Sequence, residues 1–333
     1  MTKINRRELL IASASGAALL CLNGPARGFN LFAGRSAKHS GPDDISGRTF
    51  PHDAPSQPWK WSCEAFAYRT HGKDKVICEI CPHHCRLGPG DRSICRSKVN
   101  INGKLYSLAY GNACAAHVDP VEKKPLFHFK PRSLAFSIAA AGCNFRCLNC
   151  QNWEISQQKP DAIPRHYDLF PDKVVAAAKQ ANAAAIAYTY SEATTFFEYM
   201  YDTARIARQN DLANLWISNG YINQTPLQAL CKVLDPANVN LTAYSDDIYR
   251  KLNGGRLQPV LDTFETLHQQ KIHFEITNLV VPEYTDDMAM VKKMCGWILN
   301  KLGPDYPLHF LRFTPRYKLK RLSPTPVTTL TRF

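Results

Sequence analysis

An apolar run, Leu134-Ala-Phe-Ser-Ile-Ala-Ala140, leads directly into a loop holding three cysteines, Cys143-Asn-Phe-Arg-Cys147-Leu-Asn-Cys150. A short apolar run with such flanks reads as a buried strand, so the sequence sets three thiols at a strand end. From Ser133 onward, short apolar strands alternate with longer helical stretches, the pattern of a parallel sheet with helical crossovers. Strands are expected at 134–140, 184–190, 214–218, 239–242, 273–280 and 308–313. Helices are expected over 171–182, 195–208, 225–234, 259–270 and 287–302, the last with Thr285 as N-cap before Asp286 and Asp287. The fold class is therefore α/β: a partial (βα)6 TIM-like barrel over 133–333, with a small Cys-rich domain at 59–132. In such folds the chemistry sits at the C-terminal ends of the strands, where the cysteine loop falls.

The loop spacing is C-x3-C-x2-C, with no fourth cysteine nearby. A four-iron cluster is usually held by four thiolates, so three leave one iron open, and an open coordination position suits catalysis. The loop alone also admits a zinc site completed by a distant histidine, or part of an electron-transfer ferredoxin, although ferredoxin spacings differ.

The loop matches the signature of the radical SAM superfamily. With Asp119-Pro-Val-Glu-Lys-Lys-Pro-Leu-Phe-His-Phe129 and the stretch Ala141 to Ser156, the chain from about residue 78 to 330 resembles the AmmeMemoRadiSam system radical SAM enzyme, a family related to the pyruvate formate-lyase activating enzymes. The resemblance implies a 4Fe–4S cluster on Cys143, Cys147 and Cys150, with S-adenosylmethionine (SAM) bound at its open iron. It implies SAM contacts from Ser191 and Glu192 after the second strand, Ser218 and Asn219 after the third, and His309 on the last, near the nucleoside. Asn144 and Phe145 lie between the cluster cysteines. The implied partners are SAM, a low-potential electron donor and a protein or peptide substrate. Two departures stand out. Asn240-Leu241-Thr242 replaces the Asp-Leu-Lys of relatives, and the chain ends at Phe333, where relatives continue to a Cys-x-x-Cys tail, so it reads as truncated.

A second cysteine group, Cys78, Cys81, Cys85 and Cys95, has the spacing C-x2-C-x3-C-x9-C. Gly88-Pro-Gly-Asp91 makes a turn that folds Cys95 back toward the others, and His83 and His84 are alternative ligands. Four ligands close a site, which holds either structural zinc or an auxiliary iron–sulfur cluster.

Residues 1–27 read as a targeting segment: Arg6-Arg7, an apolar stretch to Leu22, then Gly24-Pro-Ala26. The pattern is that of a Tat signal, with export to the periplasm or the outer face of the membrane; without export the protein is cytoplasmic. The apolar stretch is too short for a stable membrane span. Residues 28–58, rich in Gly, Pro, Ser and His, read as a flexible linker. Lys+Arg number 41 against 28 Asp+Glu, a net charge of +13, which favours acidic partners such as a flavodoxin-like reductant; no nucleic-acid motif accompanies it, so no nucleic-acid partner is expected. Two rival functions remain: an iron–sulfur electron carrier, and a degenerate paralogue that binds metal without turnover.

Overall fold

The computed structural model describes residues 48–333; the expected targeting segment at 1–27 and most of the expected linker lie outside them. Residues 213–218 (Ala-Asn-Leu-Trp-Ile-Ser) are buried along nearly their whole length. A strand buried on both faces belongs inside a parallel sheet covered on both sides, and that is where it lies.

The sheet has seven strands in chain order: β1 (Ala115–Pro120), β2 (Leu134–Ala139), β3 (Ala185–Tyr188), β4 (Ala213–Ser218), β5 (Pro236–Asn240), β6 (His273–Val280) and β7 (Leu308–Arg312). Strands β2 to β7 pair in parallel, and β1 pairs antiparallel to β2, Asp119 opposite Ala135. Helices α1 (Pro171–Gln180), α2 (Phe197–Arg208), α3 (Gln224–Cys231), α4 (Gln258–Gln269) and α5 (Met288–Lys301) connect them. Their apolar faces bury Val174, Met200, Leu227, Phe264 and Met294 in the large outer core. The inner face is lined by small side chains, Ala135, Ala185, Ala187 and Ala213, with Leu215. Val121 and Leu126, from the connection between β1 and β2, fill it. The six parallel strands form the partial barrel expected from sequence.

The connection between β1 and β2 is fixed at the barrel end opposite the cysteine loop. Glu275, in the first half of β6 and fully buried, accepts from the backbone N–H groups of Phe127 (3.1 Å) and His128 (2.8 Å). It also pairs with His309 Nε2 at 2.5 Å and His128 Nδ1 at 3.2 Å.

Three details differ from the sequence reading. The strand expected at 239–242 starts at Pro236. The N-cap of α5 is Asp287, whose carboxylate accepts from Ala289 N–H at 2.9 Å; Thr285 instead bonds to Val281 N–H and the Leu279 carbonyl, both at 2.7 Å. Thr49–Phe50, within the stretch read as linker, is a short strand paired with Arg92–Ser93.

Residues 59–107 carry short antiparallel strands in two small sheets, and Asn112–Ala113 pairs with Tyr167–Asp168 in a third. This Cys-rich part is joined to the barrel by a buried ion pair. Lys98 Nζ binds Glu198 of α2 and donates to the Thr195 carbonyl at 3.2 Å, while Glu198 accepts from Phe66 N–H at 2.9 Å. No helix among the described residues is long and apolar enough to cross a membrane.

Candidate functional site

Strand β2 runs straight into the loop that carries Cys143, Cys147 and Cys150. Gly142 makes that exit feasible. Its φ is +113°, and a Cβ there would lie 2.5 Å from Ser97 Oγ and 2.6 Å from the Cys95 carbonyl, so only glycine fits. The loop is then held on three sides. The N–H groups of Arg146 and Leu148 donate to the carbonyls of Asn253 (2.7 Å) and Leu252 (2.9 Å). Lys318 N–H donates to the Leu148 carbonyl at 3.0 Å, and Tyr317 stacks on Trp153. His83 Nε2 bonds the Asn144 carbonyl at 2.7 Å, while the Asn144 amide donates to the Tyr221 carbonyl at 2.8 Å.

Each cysteine has a hydrogen-bond donor near its sulfur. Phe145 N–H reaches Cys143 Sγ at 3.3 Å, Asn253 Nδ2 reaches Cys147 Sγ at 3.1 Å, and the Ser156 hydroxyl interacts with Cys150. Burial pushes all three thiols up, helped at Cys143 by the nearby Glu192 carboxylate. Ligand binding to such thiols therefore displaces protons. At least one pair among the three sulfurs stands more than 4.8 Å apart. Four zinc-bound sulfurs, each about 2.3 Å from one ion, would be about 3.8 Å apart in a tetrahedron. The donor set fits the cluster implied by the loop spacing, which spreads its thiolates over separate irons.

The ends of β3 and β4 complete the site. Glu192, fully buried, caps the turn after β3. Its Oε1 accepts from Thr194 N–H (2.9 Å) and Ser218 Oγ (2.8 Å), and its Oε2 from Asn219 N–H (2.9 Å). Burial raises the Glu192 carboxyl and these donors oppose the rise. Asn219 Nδ2 donates to Asn144 Oδ1 at 2.8 Å, which links the β4 end to the cysteine loop. Asn240, at the departure from the relatives' pattern, donates to the Ser218 carbonyl at 3.2 Å. Ser191 Oγ turns to the Ala140 carbonyl at 2.6 Å.

Of the five SAM-binding candidates, Glu192, Ser218 and Asn219 thus form one bonded group beside Cys143, and Ser191 bonds at the end of β2. The structure does not bring His309 to them; it sits with Glu275 and His128. All four cysteines of the second group are buried and line one void beside the loop. The residues missed by sequence reasoning are Leu252 and Asn253, which cradle the loop from a π-helical turn, Tyr249–Asn253. The Asn253-Gly-Gly255 run was the available signal: Gly254 is left-handed, and a Cβ on Gly255 would lie 2.3 Å from the Phe145 ring.

The sequence model of the Radical SAM superfamily matches residues 137–294, a span that holds the three-cysteine loop and the ends of β3 and β4. An uncharacterized protein of Methanocaldococcus jannaschii is 45% identical over 267 residues, covering 80% of this chain and 79% of that protein. Among solved structures, a radical SAM methyltransferase from Sphaerobacter thermophilus aligns at a TM-score of 0.45 and 13% identity, over 61% of this chain and 63% of that one. A domain of pyruvate-formate lyase-activating enzyme from Bacteroides vulgatus aligns at 0.39 and 9%, over 45% of this chain and 90% of the domain. With its three-cysteine loop on the first parallel strand, the chain belongs to the radical SAM superfamily.

Proposed function

We propose that the protein is a radical SAM enzyme of the AmmeMemoRadiSam type that acts on a protein or peptide. The observation that carries the catalytic part is the bonded group Asn144–Asn219–Glu192–Ser218 beside Cys143, assembled from three successive strand ends. A four-iron cluster on Cys143, Cys147 and Cys150 would supply an open iron for SAM and the electron that cleaves it to methionine and a 5'-deoxyadenosyl radical, which abstracts hydrogen from the substrate. The protein's part is positioning and exclusion of water. Glu192 uses three of the roughly four acceptor sites of a carboxylate on Thr194, Ser218 and Asn219, and the remaining one receives the SAM ammonium. Ser218 and Asn219 keep that carboxylate from turning. The resemblance to the glycyl-radical activases supports the macromolecular substrate, and the twin-arginine segment at 1–27 supports export with the cofactor already loaded.

The test is anaerobic reconstitution followed by incubation with SAM and dithionite. The expected product is 5'-deoxyadenosine, and SAM changes the EPR signal of the reduced cluster. A protein with a full cluster spectrum but neither effect is an electron carrier or a degenerate paralogue, and the proposal fails.

A further inference from the structure

The second cysteine group differs from the first in being wholly enclosed. Cys78, Cys81, Cys85 and Cys95 are each at most 7% exposed. They line a common void, together with Lys98, Asn144, Thr194 and Thr195. In any three of the four, at least one pair of sulfurs is more than 4.8 Å apart. Tetrahedral zinc needs all its sulfurs about 3.8 Å from one another, given Zn–S bonds of about 2.3 Å. The loop of the superfamily's catalytic cluster shows the same wide spacing.

The chemistry of the lining agrees. Thr194 lines this void, and its hydroxyl is fully buried and has no hydrogen bond. It interacts with Glu192, but not in hydrogen-bond geometry, and no cysteine sulfur takes its proton. A buried hydroxyl left without an acceptor is costly. A bare metal ion offers it none, whereas the sulfides of a cluster do. Ser93 Oγ lies 3.1 Å from Cys95 Sγ and accepts from Lys98 N–H at 3.2 Å, a relay of donors onto a thiolate. Lys98, itself buried, also lines the void, with its ammonium paired to Glu198.

We propose that Cys78, Cys81, Cys85 and Cys95 hold a second four-iron cluster, one that shares a wall with the catalytic site. Asn144 lines the void, lies next to Cys143 in sequence, and receives His83 from the Cys-rich part. The Cys95 carbonyl packs on Gly142. A cluster with four protein ligands has no open iron for substrate. It takes one electron from a low-potential one-electron donor and passes one on to its neighbour, with no bond made or broken.

The inference does not depend on SAM cleavage, and the test keeps the two apart. The full-length protein is reconstituted anaerobically with iron and sulfide, and its iron, sulfide and zinc are counted. About eight irons per chain are expected for two four-iron clusters. In the C143A/C147A/C150A variant about four irons remain, with a cluster EPR signal that SAM does not change. A Thr194→Val variant keeps its iron but shifts the midpoint potential of that signal downward, because hydrogen bonds to sulfur tune such potentials. The proposal is overturned if the triple variant holds zinc and no iron, or if it holds no metal while its circular dichroism is native. Should the triple variant misfold, the wild-type count decides: about four irons overturn it and about eight sustain it. A C78S/C81S variant that still shows the SAM-responsive signal leaves the catalytic reading intact whichever way the second site falls.

Discussion

Glu192 is held by donors on two different strand ends and sits beside Cys143. In the proposed role, the Glu192→Gln substitution keeps the shape but exchanges a charge-assisted bond to the SAM ammonium for a neutral one. A hydrogen bond to a charged group contributes about 1.5–3 kcal/mol, so SAM affinity should fall roughly 10- to 100-fold. Iron content should stay unchanged. Equilibrium binding of SAM to the reconstituted variant checks this, and unaltered affinity would remove Glu192 from the binding role. At this scale the sequence singled out Cys143, Cys147 and Cys150, and Ser218 and Asn219, because each motif carries its own spacing. It could not reveal Asn253, because a side chain that reaches a sulfur from a residue 106 positions away leaves no local pattern. His309, read from sequence as a residue near the nucleoside, sits instead with Glu275 on the neighbouring strand and with His128.

The barrel strands were legible because unbroken apolar runs bounded by polar turns suit few elements other than buried parallel strands. Caps were less so: Thr285 and Asp287 both qualify as N-caps, and only the path of the chain after β6 decides that Asp287 caps α5 while Thr285 closes a turn. Strand β1 was hidden because it lies at the sheet edge with Asp119 the one buried residue of its six, in a segment dominated by its Cys-rich neighbour. The tie between β6, β7 and the 121–133 connection has a pH signature. Burial pushes the Glu275 carboxyl up, but hydrogen bonds from His273, the His128 and Phe127 N–H groups and His309 outweigh it and hold the group well below the usual carboxylate range. A depressed carboxyl contributes stability that is fully present above its unfolded pKa of about 4.3 and is lost as pH falls toward its folded value. Melting temperature should therefore drop on acidification below about pH 4, and Glu275→Gln should be less stable at neutral pH with a flatter acid limb. A wild-type limb no steeper than that of the variant would refute the assignment.

At the scale of the whole molecule, the Cys-rich part and the barrel meet across Lys98 and Glu198, whose side chains are 1% and 7% exposed. Removing one partner of such a pair leaves a buried charge alone, at a cost of about 3–5 kcal/mol. Lys98→Met should lower stability by about that amount in denaturant titrations, and adding Glu198→Gln should recover part of it. Equal losses in the single and double variants would show that the pair does not couple the two parts. This joint was out of reach of the sequence, since nothing in a lone lysine and a lone glutamate a hundred positions apart announces that they meet. The shared wall also sets an order of manufacture. The cysteines at 78–95 leave the ribosome well before Asn144, Thr194 and Thr195, yet those later residues close their void. The early segment on its own is an open, thiol-lined surface, and it becomes a sealed compartment only when the third strand of the sheet is in place. Whatever fills it must arrive in the interval before the barrel folds shut.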